Sequence, residues 1–240
     1  MGVDKLKEIL NSDNIVFFGG AGVSTESNIP DFRSANGLYS ETTKSTYAPE
    51  EILSHTFFMS HTKEFFDFYK SKMIYADAKP NKAHLALAKL EEAGKLKAVV
   101  TQNIDGLHQA AGSKNVFELH GSVHRNYCMN CRKSFDLVYI LSSEGIPKCD
   151  VCQGIVKPDV VLYEEMLDNS VIAKSIQHIK NADVLIVGGT SLSVYPASGL
   201  VTYYRGNKLV LINKSATSFD SKADLVISGS IGEVLGSVVG

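Results

Sequence analysis

The chain shows no surplus of either charge: 24 Lys and Arg oppose 26 Asp and Glu over 240 residues, a formal charge of −2. A protein that binds nucleic acid chiefly through phosphates carries a strong basic excess, so that class is not expected; at most a local basic groove remains. No run of about 18 apolar residues exists, and no membrane span is expected. Met1–Leu10 is charged and amphipathic and lacks the apolar core and small-residue cleavage site of a signal peptide, so the expected compartment is the cytoplasm. Cysteine is scarce. Four in such a chain point to metal binding rather than a disulfide framework. Internal repeats, low-complexity stretches and long linkers are also missing.

What is present suits one large domain with smaller inserts, since 44% of the residues are hydrophobic. Short apolar runs recur at Ile15–Phe18, Ala98–Val100, Val116–Leu119, Val184–Val187, Leu209–Ile212 and Leu225–Ile227. Continuous rather than alternating apolar character marks strands buried on both faces, as in a parallel sheet. Between the runs lie helical patterns. Lys82–Ala93 is one, with Gly94 as its stop; Val171–Ile179 is another, with Asp168 and Asn169 as candidate caps. Strands alternating with helices predict an α/β fold, a Rossmann-like doubly wound parallel sheet.

Two stretches break the rhythm. One, 36–75, is rich in Thr, Ser, Phe and Tyr and predicts helices from Pro49 and through Lys63–Tyr75. The other, 122–157, holds all four cysteines. The expected division is a Rossmann-like domain of 1–35, 76–121 and 166–240, a helical module at 36–75 carrying a cofactor loop, and a zinc-binding module at 122–165. A ligand site is expected in the cleft between large and small parts.

Open parallel sheets bind ligands beyond the carboxyl ends of their strands. Here those ends read Gly19-Gly20-Ala21-Gly22-Val23-Ser24-Thr25, then Thr101-Gln102-Asn103-Ile104-Asp105, His120-Gly121, Gly188-Gly189-Thr190-Ser191 and Asn213-Lys214-Ser215. Five strand ends thus bring glycines, amides, hydroxyls, a carboxylate and an imidazole to one edge, which a purely structural sheet does not need. Glycines let backbone approach a pyrophosphate, whose charge is favoured at a helix N-terminus. The fingerprint is altered, reading Gly20-x-Gly22-x-x-Thr25. Glu41 stands at ribose-ligand distance but ends no apolar strand, so a nicotinamide dehydrogenase fits poorly.

Cys128-Met-Asn-Cys131 and Cys149-Asp-Val-Cys152 are separated by 17 residues, a tetrahedral zinc pattern. Four thiolates would fill the coordination shell, so the expected metal is structural; a redox dithiol is the alternative. The cations near it (Arg125, Arg132, Lys133, Lys148, Lys157) are interrupted by acidic residues and do not predict nucleic-acid binding. His55, His61, His84 and His178 read as surface or core residues, and His108 and His124 as structural. His120 stands apart because it ends an apolar strand and precedes a glycine. Phe65, Phe66, Phe68 and Tyr69 read as the buried face of a helix rather than a stacking platform.

The run Gly20-Ala-Gly-Val-Ser-Thr-Glu-Ser-Asn-Ile-Pro-Asp-Phe-Arg33 closely resembles the opening motif of the sirtuins, NAD-dependent protein lysine deacylases. The resemblance continues through Thr101-Gln-Asn-Ile-Asp-Gly-Leu-His108, Glu118-Leu-His-Gly121, the cysteine pairs, Gly189-Thr-Ser-Leu-Ser-Val-Tyr-Pro196 and Asn213. It implies that NAD is consumed as a co-substrate. Gly20, Ala21, Gly22 and Thr25 would line its phosphate loop with Gly189, Thr190 and Ser191 nearby, and Asn213, Lys214 and Ile231 would meet the adenosine. Asp31, Phe32 and Arg33 would belong to a mobile cofactor loop. Gln102, Asn103, Ile104 and Asp105 would surround the nicotinamide and its ribose. His120 would be the general base, with Asn103 the second catalytic residue. The acyl oxygen would attack the ribose carbon as nicotinamide leaves; His120 would then assist a ribose hydroxyl, giving free lysine and O-acyl-ADP-ribose.

Acyl-lysine proteins or peptides are the implied partners, held between Val161, Leu162 and Tyr163 on one wall and Val194 on the other. The chain departs from the family at Gly19, where threonine is common, and at Asn28, where glycine is usual; Asn tolerates left-handed backbone. Tyr69 and Lys72 stand at the spacing where succinyl- and malonyl-removing members carry Tyr and Arg. Lysine lacks the bidentate fork, so a neutral acyl group, acetyl first, is expected. Two rival readings remain: an NAD- or ADP-ribose-binding sensor without turnover, and an ADP-ribosyltransferase.

Overall fold

A computed structural model describes residues 2–32, 34, 37–40 and 47–239. The chain opens with α1 (Gly2–Ile9) and β1 (Ile15–Gly19). A helical insertion follows, formed by α2 (Pro49–Ile52), α3 (His55–Ser60) and α4 (Thr62–Lys72). Then come α5 (Lys82–Glu92), β2 (Leu96–Thr101), α6 (Leu107–Ala110) and β3 (Val116–Glu118). The cysteine segment contributes β4 (Gly121–Cys128), β5 (Ser134–Phe135), α7 (Leu137–Ser142) and β6 (Val156–Val160). The chain closes with α8 (Asn169–Asn181), β7 (Val184–Gly188), β8 (Leu209–Asn213), β9 (Leu225–Ser228) and α9 (Ile231–Val239).

The six expected strands form one sheet in the order β3-β2-β1-β7-β8-β9, with every pair parallel. Its central strands explain the continuous apolar runs. Ile15 and Phe17 of β1 enter a core with Leu6, Leu87 and Leu235 on one face, while Val16 and Phe18 enter a second core with Ile179, Leu185 and Leu211 on the other. Burial on both faces leaves no polar side to the strand. The doubly wound fold is therefore present as expected.

The helices begin where their caps place them. Asn81 accepts from Ala83 N–H, and the His84 ring accepts from Asn81 N–H, a capping box at the start of α5. Asp168 accepts from Ser170 and Val171 N–H at 2.7 and 3.0 Å, so it caps α8 and Asn169 is the first helical residue. The helix expected through Tyr75 stops at Lys72. The expectation of helix after the first glycine loop resolves into two single 3₁₀ turns, Ala21–Val23 and Thr25–Ser27, because Asn28 takes the left-handed conformation (φ 62°) ahead of Pro30.

A second, antiparallel sheet of order β5-β4-β6 was not anticipated. It shares a third core with the helical insertion, where Phe58, Phe65 and Tyr69 meet Val123, Cys128, Val156 and Val160. β4 and β6 are pinned together at Gly121. This residue has φ 76°, and a Cβ there would lie 1.9 Å from Asp159 O. Among the described residues no helix is long and apolar enough to cross a membrane.

Candidate active site

The carboxyl ends of β1, β2 and β3 open into a cavity of about 450 Å³. Its wall holds Ala21, Phe32, Gln102, Asn103, Ile104, Asp105 and His120, with Val161, Leu162, Tyr163 and Val194 from the expected substrate walls. A polar chain crosses its floor. Asn103 Nδ2 donates to Ser24 Oγ at 3.0 Å, and Ser24 Oγ donates to Asp105 Oδ2 at 2.6 Å. Asp105 Oδ1 accepts from Leu107 N–H at 2.9 Å. Sequence reasoning missed Ser24; its position inside the glycine loop was the only available signal.

His120 Nδ1 lies 2.9 Å from the carbonyl oxygen of Gln102. A carbonyl only accepts, so Nδ1 carries the proton and Nε2 is left as the basic nitrogen of the neutral ring. Burial lowers the His120 pKa from its ordinary value, against the opposing pull of the Gln102 carbonyl. The ring is thus neutral at pH 7 with its tautomer set by the backbone of the neighbouring strand end.

Gly20, Gly22, Thr25, Gly189, Thr190 and Asn213 gather beside the cavity. Gly22 N–H donates to Gly189 O at 2.8 Å, and a Cβ on Gly22 would fall 2.8 Å from Gly189 Cα, so two backbones touch where β1 and β7 end. Gln102 Nε2 donates to Thr190 Oγ1 at 3.1 Å, and Thr190 N–H donates to Asn213 Oδ1 at 2.9 Å. The buried Nδ2 of Asn213 finds no protein partner among the described residues, a donor available to a ligand such as NAD. Thr25 turns back to Gly22 O at 3.0 Å. Asp31 caps the turn at Ser34, and Ser191 and Lys214 are exposed. Ile231 is buried in the main core, with its edge against Gly188. Arg33 and Glu41 lie outside the described residues.

Tyr69 does not reach the cavity wall: its ring stacks on Phe65 at 5.6 Å and its hydroxyl is buried without a partner among the described residues. Lys72 does lie on that wall. The tyrosine–lysine pair is therefore not assembled at the site: the two residues stand one helical turn apart on α4, but only Lys72 reaches the cavity.

The ligand atoms of Cys128, Cys131, Cys149 and Cys152 all lie within 4.8 Å of one another. Cys128 and Cys152 sulfurs are 3.4 Å apart, and those of Cys131 and Cys149 3.6 Å. Four thiolates about 2.3 Å from a tetrahedral zinc have edges of about 3.8 Å, so the donor set fits that ion. Cys131 N–H donates to Cys128 Sγ at 3.5 Å and leads the interactions that lower the Cys128 thiol to about 6; Val151 N–H donates to Cys149 Sγ at 3.4 Å. At Cys128 the Cys131 N–H favours the thiolate that a metal requires. All four positions are filled by protein, so a zinc held here would be structural.

An open parallel sheet with amides, a buried serine and a neutral imidazole at its strand ends is the architecture of a nucleotide-binding α/β enzyme. Residues 20–196 match the Sir2 family, and the chain belongs to that family, the sirtuins its motifs resemble. It is 69% identical over 239 residues to a protein of Clostridium acetobutylicum named NAD-dependent protein deacetylase, covering 99% of this chain and 98% of that relative. A solved structure of Sir2 with a p53 peptide and NAD+ matches with a TM-score of 0.86 at 40% identity, covering 99% of this chain and 97% of the other. A Sir2 variant with deacetylated p53 peptide and 3'-O-acetyl ADP-ribose matches with a TM-score of 0.89 at 40% identity, covering 100% and 97%.

Proposed function

We infer that this chain is an NAD-dependent protein lysine deacetylase that converts NAD, an acyl-lysine and one water into nicotinamide, free lysine and O-acyl-ADP-ribose. The observation that carries the reading is His120: a buried, neutral imidazole on the cavity wall, with Nδ1 committed to the Gln102 carbonyl and Nε2 basic. A protein that merely senses NAD has no use for such a base.

His120 takes the proton of a ribose hydroxyl, an assistance worth about 10²–10⁴-fold. Asn103, Ser24 and Asp105 form a pre-assembled polar floor that orients the nicotinamide and its ribose. Ala21 and Phe32 shield that floor, with Arg33 of the same cofactor loop as a phosphate partner. Gly20, Gly22, Thr25, Gly189, Thr190 and Ser191 receive the phosphates, and Asn213 and Lys214 the adenosine ribose; Ile231 backs the adenine end from the core. Val161, Leu162, Tyr163 and Val194 hold the acyl-lysine segment, and the absence of an assembled tyrosine–cation pair favours acetyl over dicarboxylic acyl groups. The division into 1–35, 76–121 and 166–240, 36–75 and 122–165 describes how these parts are distributed. The thiol tetrad suits a reducing cytoplasm, and the balanced charge suits protein rather than nucleic-acid partners.

The test is to incubate the protein with NAD and an acetyl-lysine peptide while following nicotinamide and O-acetyl-ADP-ribose. Both must appear, and only with the peptide present. Nicotinamide release that ignores the peptide would favour ADP-ribosyl transfer or NAD hydrolysis; NAD binding with neither product would favour a sensor.

A further inference from the structure

The backbone donors of the wall segment Val161–Tyr163 are all committed. Val161 N–H donates to His120 O at 3.0 Å, tying the wall to the base, and Tyr163 N–H donates to Leu53 O at 2.9 Å, tying it to the helical insertion. Leu162 N–H, between them, ends instead on a side chain, Oε2 of Glu165, at 2.9 Å.

Glu165 is held from two further directions. His55 Nδ1, at the start of α3, donates to Oε1 at 2.9 Å, and Lys157 Nζ, on β6, to Oε2 at 3.1 Å. The Glu165 and Lys157 side chains keep only 21% and 20% of their exposure, so water screens the pair weakly. Burial by itself would raise the Glu165 carboxyl, but Leu162 N–H, His55 and Lys157 together hold it below its ordinary value. The preceding Glu164 sits at φ 73°, and its carboxylate accepts from Thr56 N–H and Oγ1 at 2.8 and 2.7 Å. Two successive carboxylates therefore pin this turn to the first turn of α3.

We propose that Glu165 is a positioning residue for the peptide substrate: through Leu162 it sets where the wall stands relative to His120. The proposal rests on the deacetylase reading and assigns Glu165 to peptide capture rather than to NAD or the chemical step.

The test measures steady-state deacetylation by the full chain, varying peptide and NAD separately, for Glu165→Ala, Glu165→Gln and His55→Gln. Glu165→Ala is expected to raise the peptide KM about tenfold, as loss of a charge-assisted hydrogen bond does. The NAD KM and kcat at saturating peptide should stay within about twofold. Glu165→Gln keeps an oxygen for Leu162 N–H and should recover most of the loss, while His55→Gln should raise the peptide KM by a smaller factor. Equal rises in both KM values, or a fall in kcat at unchanged peptide KM, overturn the proposal. If Glu165→Ala does not fold, a His55→Gln enzyme with unmoved peptide KM overturns it equally. A wild-type chain inactive on every acetyl-lysine peptide refutes the deacetylase reading instead, which separates the two failures.

Discussion

His84 on α5 and His108 on α6 form a buried pair, with ring centroids 4.7 Å apart. Both nitrogens of His108 and Nε2 of His84 have no partner among the described residues. Burial lowers His84 to about 4, with Asp105 opposing, and lowers His108 to about 3, with the neighbouring His84 adding to the effect. Above the ordinary histidine pKa of about 6.5, both rings are neutral whether the chain is folded or not, and they add no pH dependence. Below it, the unfolded chain takes up two protons that the folded chain refuses, so stability falls as pH falls towards the folded values. At pH 5 linkage gives about 2 kcal/mol for each ring, about 4 kcal/mol together, a large share of the roughly 5–15 kcal/mol typical of a domain. Urea unfolding at pH 7.5 and pH 5 would measure this for the wild type and for His84→Gln/His108→Leu. The double variant should lose about 4 kcal/mol less over that interval, even if it is weaker at pH 7.5. Carboxylate titration and acid release of zinc affect both proteins alike and cancel in the comparison. Equal losses in the two proteins, within about 1 kcal/mol, would refute the reasoning.

Four further outcomes are expected. His120→Ala should cut kcat by about 10²–10⁴-fold while calorimetry shows NAD affinity within a few-fold of wild type. Since burial lowers the His120 pKa, kcat/KM should rise on an acid limb below pH 6.5 and be level at neutrality; a limb centred above pH 7 would contradict this. Gly22→Ala drives a Cβ to 2.8 Å from Gly189 Cα and O, backbone against backbone, and should cost about 1–3 kcal/mol in thermal unfolding and weaken NAD binding. Elemental analysis should find one zinc per chain, and a chelator that removes it should abolish deacetylation and the cooperative melting of the β4–β6 region, with an unchanged melt counting against a structural metal.

The large sheet was legible because its strands are buried on both faces, so β1 and β7 appear as unbroken apolar runs. The small sheet was not. The ladder of β4 with β6 breaks register between Ser122 and Asn126, which erases the alternation along Gly121–Cys128. β6 does alternate buried and half-buried residues, but over five positions containing Pro158, a weak signal. α7 also escaped, although Asp136 caps it through Tyr139 N–H in advance of an apolar run. At the candidate site, the strand ends bring His120, Gln102, Asn103 and Asp105 to one cavity wall, because in a parallel sheet position along the strand specifies the edge. Contacts between distant segments stayed hidden. Ser24 with Asp105, and Glu165 with His55 and Lys157, depend on side-chain reach across the cleft, which no periodicity encodes.

The close approach at Gly121 has a consequence for anyone building chimaeras of this enzyme with its relatives. The strand that begins one residue after His120 ends at Cys128, so eight residues join the proposed base to a proposed metal ligand, with the register break between Ser122 and Asn126 on the way. A crossover between residues 121 and 122 looks natural on a domain map, yet it would join a donor's β4 to a recipient's glycine while both must mesh with the same Asp159 carbonyl. The exchangeable cassette therefore has to carry β4, β6 and the residues that precede His120 together, and parts swapped without them should yield folded, zinc-loaded proteins whose base is out of register.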